Sequence, residues 1–290
     1  MKKTLTIVFT LLSLYSFGQT GSEILLFDMK ISNGQVTLSN GVNITNHKGY
    51  DNQPFFYPSQ PIIYYASFDD SGRSDIKYYN YEKKETSNLT LTHEREYSPT
   101  VTPDGKFISC IIQRDNGVQD LGKYPINGGK PELLINTLKV GYHAWIDKDK
   151  LLLFVLVDSN TNNLHLYNLS AKSDTILAVN PGRSLHKIPR QNAMSFIQKN
   201  AGKDWMIQKL DLNTMTVSAI AHTLPGQENL TWLQNNIILM SDGKKLFSYH
   251  VGTDKEWQPV IITSDDSILK GVTRLATNAA NTKLAVVVSE

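Results

Sequence analysis

The segment Ser98–Cys110 reads SPTVTPDGKFISC, and a degraded copy of it returns about every 44 residues. With Val101 as anchor, the series is Phe56, Val101, Trp145, Ile188, Trp232 and Leu275, at intervals of 45, 44, 43, 44 and 43 residues. Self-similarity at a fixed period sets the architecture before any local motif does. Each anchor is followed by a short polar turn and an apolar run. Pro103-Asp104-Gly105-Lys106 leads into Phe107–Gln113, Asp147–Lys150 into Leu151–Val157, and Gln234–Asn236 into Ile237–Met240. Such runs around Asp-Gly or Asn-rich turns are a hairpin signal.

A second hairpin follows in each unit, turning at Asp69–Gly72, Asp115–Gly117, Asp158–Asn163, Asn200–Gly202 and Asp242-Gly243. Gly and Asn supply the positive φ that these turns need. Third strands are expected at Asp75–Tyr81, Asp120–Ile126, Leu164–Leu169, Trp205–Leu212 and Lys245–Val251. Fourth strands are expected at Leu89–Thr92, Glu132–Ile135, Thr175–Val179, Val217–Ala221 and Pro259–Thr263. Four strands in roughly 40–45 residues is the spacing of a β-propeller blade.

The termini complete the count. Val272–Ser289 holds the first two strands of a unit and Ser22–Asn43 only a third and fourth, since Ser22–Asp28 matches Ser74–Asn80. The expected fold is all-β: a six-bladed β-propeller of four-stranded blades, closed by a composite blade from both chain ends. Pairing the ends also removes exposed edge strands.

Met1–Gly18 reads as a secretory signal, with Lys2 and Lys3 before the apolar stretch Thr4–Phe17 and small residues at Ser16 and Gly18. Cleavage is expected before Gln19, leaving one domain over 19–290 and no membrane span, since the stretch is shorter than the ~20 residues a span needs. The formal net charge of +2 falls to zero without Lys2 and Lys3. A neutral chain without basic runs argues against nucleic acid and membrane surfaces as partners. The single cysteine, Cys110, lies in an apolar strand and reads as a small core residue. Export must then be survived by packing and ring closure, without an internal disulfide.

The run Pro99–Lys106 followed by an apolar strand resembles the WD40-like repeat of TolB-type six-bladed propellers, and Asp51–Pro58 with Ser74-Asp75-Ile76 fits the same pattern. The resemblance spans nearly all of 19–290, and the chain reads as a stand-alone propeller without the α/β domain that precedes the ring in TolB. It implies a periplasmic or secreted binding ring whose channel mouth takes a peptide or protein.

Several groups could carry chemistry. His143 and His186 each sit two residues before their anchor, at the place of Pro54 and Pro99. The repeat therefore puts them in adjacent blades beside the channel, where neutral imidazoles could share a metal or meet a carboxylate. Asp51 and Glu96 lie five residues before Phe56 and Val101, while Tyr97, Tyr142 and Asn229 precede the inner strands of their own blades. Together these seven are expected to form a polar, aromatic channel mouth suited to a peptide or sugar. Phe56, Trp145 and Trp232 read as packing between blades, and the Asp69–Gly72 and Asp158–Asn163 turns as solvated turns rather than calcium loops. No G-x-S-x-G, P-loop, G-x-G-x-x-G or H-E-x-x-H motif occurs. The expectation is a monomeric, non-catalytic binding or scaffold propeller without cofactor or bound metal. Its partner would be an envelope protein, a peptide or a cell-wall fragment. A metal-dependent lyase or lactonase acting on a carbohydrate-type substrate at the same channel is the alternative.

Overall fold

The computed structural model describes residues 21–157 and 161–290. The signal segment, its cleavage point and part of the Asp158–Asn163 turn lie outside the described residues. Among the described residues the fold is all-β, in six blades whose strands pair antiparallel apart from one crossing strand. Blade 1 runs through Asp51–Phe56, Ile62–Phe68, Ser74–Asn80 and Glu85–Asn88. Blade 2 runs through Arg95–Val101, Phe107–Gln113, Gln119–Pro125 and Glu132–Ile135. Blade 3 (Val140–Trp145 to Ser173–Val179), blade 4 (His186–Lys187 to Val217–His222) and blade 5 (Leu230–Leu233 to Gln258–Pro259) repeat the plan. First strands of neighbouring blades touch, as Asp51–Phe56 does with Arg95–Val101 and with Arg274–Thr277.

Blade 6 is composite. Its first two strands are Arg274–Thr277 and Lys283–Ser289, and its next two are Ser22–Ser32 and Gln35–Asn43. The chain ends pair antiparallel in unbroken register from Ser22↔Ser289 to Asp28↔Lys283.

The second strands serve two interfaces each, because successive side chains point to opposite faces. In blade 2, Ile108, Cys110 and Ile112 pack against blade 1 with Tyr64 and Ile76. Ile111, between them, packs against blade 3 with Leu151 and Leu153. In blade 6, Leu25 and Phe27 face blade 5, while Ile24 and Leu26 face Phe56 and Ile63 of blade 1. Two further clusters join blades 3 and 4, and 4 and 5. This explains why second strands are continuous apolar runs: both of their faces are buried.

The anchors also tie blades together with polar bonds. Trp145 Nε1 donates to Ser109 Oγ of blade 2 at 2.8 Å, and Trp232 Nε1 donates to Ser195 Oγ of blade 4 at 2.7 Å. In the Pro-Asp-Gly turn, Asp104 Oδ1 accepts from Thr102 Oγ1 and Lys106 N. These bonds hold the Asp104 carboxyl below its ordinary range, the Thr102 bond contributing most. Gly105 takes φ +70° there, and its carbonyl accepts from Tyr57 of blade 1.

Two outer strands differ from expectation. The fourth strand of blade 1 is Glu85–Asn88, not Leu89–Thr92. A tight turn at Lys84 (φ 58°) restarts pairing immediately, and Leu89 is drawn inward as part of the connector to blade 2. In blade 5 only Gln258–Pro259 pairs as fourth strand. Ile261–Ile262 crosses over and pairs parallel with Thr37–Leu38, becoming a fifth strand of blade 6. Val260 N still donates to the Leu246 carbonyl at 2.9 Å, the last bond to blade 5 before the chain crosses.

Deleting 23–42 removes half of blade 6 and uncovers apolar faces of blades 5 and 1. The truncated chain is expected to melt far below the intact one in a thermal scan. Phe27→Ala, at a fully buried site, should by itself cost about 3–5 kcal/mol. Equal melting temperatures for truncated and intact chains would contradict this closure.

Candidate functional site

A cavity of about 120 Å³ lies on the axis, lined from all six blades. It shares Gln53, Tyr142 and Arg183 with a wider cavity of about 600 Å³. Toward the other face it shares His143 and His186 with one of about 480 Å³. The three form a channel. Its wide mouth lies on the face carrying the turns between second and third strands.

Of the expected site residues, Tyr142, His143, His186 and Asn229 line the small cavity together, and Tyr97 lines the wide one. Asp51 and Glu96 line none of these cavities; they are 1% and 0% exposed. Glu96 Oε1 accepts from Thr92 Oγ1 at 2.6 Å and Tyr124 OH at 2.9 Å. Asp51 lies 3.6 Å from His47 Nδ1. Burial raises both carboxyls above their ordinary range, against the opposing effect of these neighbours. Their shared sequence offset marks a joint between blades. Ser22 Oγ donates to the Asp51 carbonyl and Ser74 Oγ to the Glu96 carbonyl, both at 2.9 Å. Gln119 Nε2 donates likewise to the Val140 carbonyl.

The two histidines are held by hydroxyls. His143 Nε2 lies 2.7 Å from Ser109 Oγ, whose proton goes to the Thr100 carbonyl at 3.0 Å. A hydroxyl has one proton to give, so His143 carries its own on Nε2, leaving the buried Nδ1 unpartnered. His186 Nε2 lies 2.9 Å from Ser184 Oγ, which also bonds the Leu230 backbone. Burial pushes His143 down to about 3 and His186 to about 4, so both imidazoles are neutral near pH 7. Among the described residues no group of three or more His, Cys, Asp or Glu is placed to hold a metal.

Four residues that sequence reading missed give the channel its charge. Arg274 Nη2 donates to Tyr142 OH at 2.9 Å, and its guanidinium carbon stands 4.9 Å from that ring's centre. Arg183 Nε donates to Glu228 Oε1 at 2.6 Å, and Lys199 Nζ lies 2.5 Å from Glu228 Oε2. Burial alone would raise Glu228, but Lys199 and Arg183 outweigh it and hold the carboxylate low. Burial would likewise raise the Tyr142 phenol, yet Arg274 and Arg183 bring it below its ordinary value. Gly182 lets the loop carrying Arg183 press onto blade 4, since a Cβ there would stand 2.9 Å from Ile197 Cβ. Around the rim, Tyr50 and Phe68 meet edge to face at 5.0 Å, and Phe68 and Tyr97 meet at a tilt at 5.6 Å.

The class defined by this architecture is a channel-bearing six-bladed propeller closed by its own termini. More particularly, it has the TolB-type fold. A putative TolB from Agrobacterium tumefaciens superposes with a TM-score of 0.69 at 12% identity, covering 94% of this chain and 99% of that one. TolB from Acinetobacter baumannii superposes with a TM-score of 0.56 at 12% identity, covering 93% of this chain and 64% of that one. No family model matches the sequence, and no curated protein does.

The histidines make stability pH-dependent. Their folded pKa values lie below the ordinary 6.5, so the unfolded chain takes up their protons first. Stability is full above about pH 6.5 and falls as pH drops toward the folded values. For His143, pH 5 should cost about 2 kcal/mol relative to pH 7.5. Asp51 and Glu96 act in the opposite sense, because their raised folded values favour the acid side. Urea titrations of wild type and His143→Gln at both pH values isolate the histidine contribution. An equal pH dependence in both proteins would contradict it.

Proposed function

We propose that the chain is an exported, non-catalytic binding ring that recognises an envelope protein, through a peptide or extended segment, at the wide mouth of the channel. The observation that carries this reading is the mouth itself. Half-buried aromatics at Tyr50, Phe68, Tyr97 and Tyr142 surround a cavity of about 600 Å³, with the Arg183–Glu228–Lys199 network on its wall. Rigid aromatics bury contact area at little entropic cost, and fixed polar groups set orientation. Export and a periplasmic location are supported by the character of Met1–Gly18 and by the TolB-type fold. The metal-enzyme alternative is not favoured. The cavity that holds both histidines also holds Arg183 and Arg274, and two guanidinium groups oppose a divalent cation there.

A photoreactive phenylalanine analogue at position 68 should crosslink an envelope protein in the native host. The same analogue at exposed Met215, on an outer turn, should not. Tyr97→Ala should weaken binding of that partner by about 2 kcal/mol or more if Tyr97 anchors the interface. Crosslinks from position 215 alone would place recognition on the outer edge and overturn this reading.

A further inference from the structure

Arg274, which lines the small axial cavity, differs from the other charges of the channel. Arg183 and Lys199 share the Glu228 carboxylate. Arg274 has no carboxylate within ion-pair distance among the described residues, and its bonded partner is the neutral hydroxyl of Tyr142. The small axial cavity that it lines contains no acidic side chain at all, but does contain Arg183 as a second cation, with Ser184 and Asn229 beside them. A half-buried guanidinium held against an aromatic ring, with donors to spare and no counter-charge, is a prepared anion site.

We propose that the axial cavity is a carboxylate subsite, in which Arg274, assisted by Arg183, binds the terminal or side-chain carboxylate of a peptide entering from the wide mouth. A planar carboxylate matches the guanidinium fork, and the one charge at the site lacking any acidic partner, that of Arg274, calls for a monovalent group. The depressed Tyr142 phenol reports the same positive field. The identity of the ligand as a peptide rests on the binding function proposed above; the carboxylate site rests on the geometry of the arginines.

The test is an NMR titration of the purified full chain, following the arginine Nε–H signals. The probes are N-acetyl-diglycine, its C-terminal amide and inorganic phosphate, each to about 20 mM, where even a millimolar site fills. N-acetyl-diglycine is expected to shift the Arg274 signal in a saturable way, and to bind at least about tenfold more tightly than the amide. Arg274→Gln should abolish the saturable binding. Arg274→Lys, which keeps the charge without the fork, should weaken it while leaving the thermal midpoint close to wild type. Absence of any saturable shift, or equal binding of acid and amide, would overturn the proposal. So would tighter binding of phosphate than of the carboxylate at Arg274, which would reassign the site. If position 68 crosslinks a partner while the carboxylate probe does not bind, this inference falls and the binding ring stands. If the probe binds and the mouth captures nothing, the subsite stands and the peptide-binding reading falls.

Discussion

No blade of this ring can bury its own apolar surface. Alternate side chains of a single strand serve two different neighbours, as Cys110 and Ile111 do in facing blades 1 and 3. Removing one blade therefore uncovers two faces, and an open ring would leave two faces bare. Closure is the condition on which the remaining packing depends. The chain meets it by seating its N-terminal strands between its C-terminal strands and the crossing segment Ile261–Ile262. Leu25, Phe27, Val36 and Leu38 thereby complete the interface with blade 5. With one buried cysteine in the chain, this noncovalent seam does the work a disulfide does in small disulfide-stapled domains.

Polar side chains reinforce the seams. Ser109 gathers Trp145, His143 and the Thr100 carbonyl on one hydroxyl, and Ser195 receives Trp232 in the same way two blades later. Small hydroxyls on second strands thus receive anchor indoles across an otherwise apolar interface. A buried indole N–H needs an acceptor, and the anchor position recurs with the repeat, so the acceptor recurs too. His143 belongs to this framework as much as to the channel, which is why its imidazole is buried and neutral.

The ring was legible in the sequence because its determinants are periodic. Turn residues at fixed offsets from Phe56, Val101 and Trp145, and apolar runs buried on both faces, announce strands wherever they occur. The outer strands were harder to read. They are exposed on one side, so Leu89 drew the expected fourth strand of blade 1 away from the polar Glu85–Asn88 that forms it. The crossing of Ile261–Ile262 depends on an edge that only the folded ring creates. Of the residues expected at the channel, Tyr97, Tyr142, His143, His186 and Asn229 line it, while Asp51 and Glu96, which share one offset, are buried beside it. Arg274 and Arg183 were not singled out because a lone arginine in a strand or loop carries no signal until the ring brings blades 4 and 6 to one cavity. Yet Arg183 stands five residues before Ile188, the offset of Asp51 and Glu96. A comparison of residue types at that offset would have marked it.

A repeated scaffold acquires a particular site through the residues that differ between its copies. At matching offsets, blades 1 and 2 bury the carboxylates of Asp51 and Glu96, whose backbone carbonyls accept the hydroxyls of Ser22 and Ser74 from the preceding blade, while blade 4 places an arginine that reaches the mouth. The acidic positions are consumed by structure and contribute no negative charge to the channel surface. The cationic ones stay at the surface, and Arg274 adds another from the inner strand of blade 6. A chain with almost no net charge thus carries a locally positive channel, walled by low-dielectric blades that strengthen the field of each unpaired charge. The polarity of the mouth arises from which copies of the repeat bury their charges and which expose them.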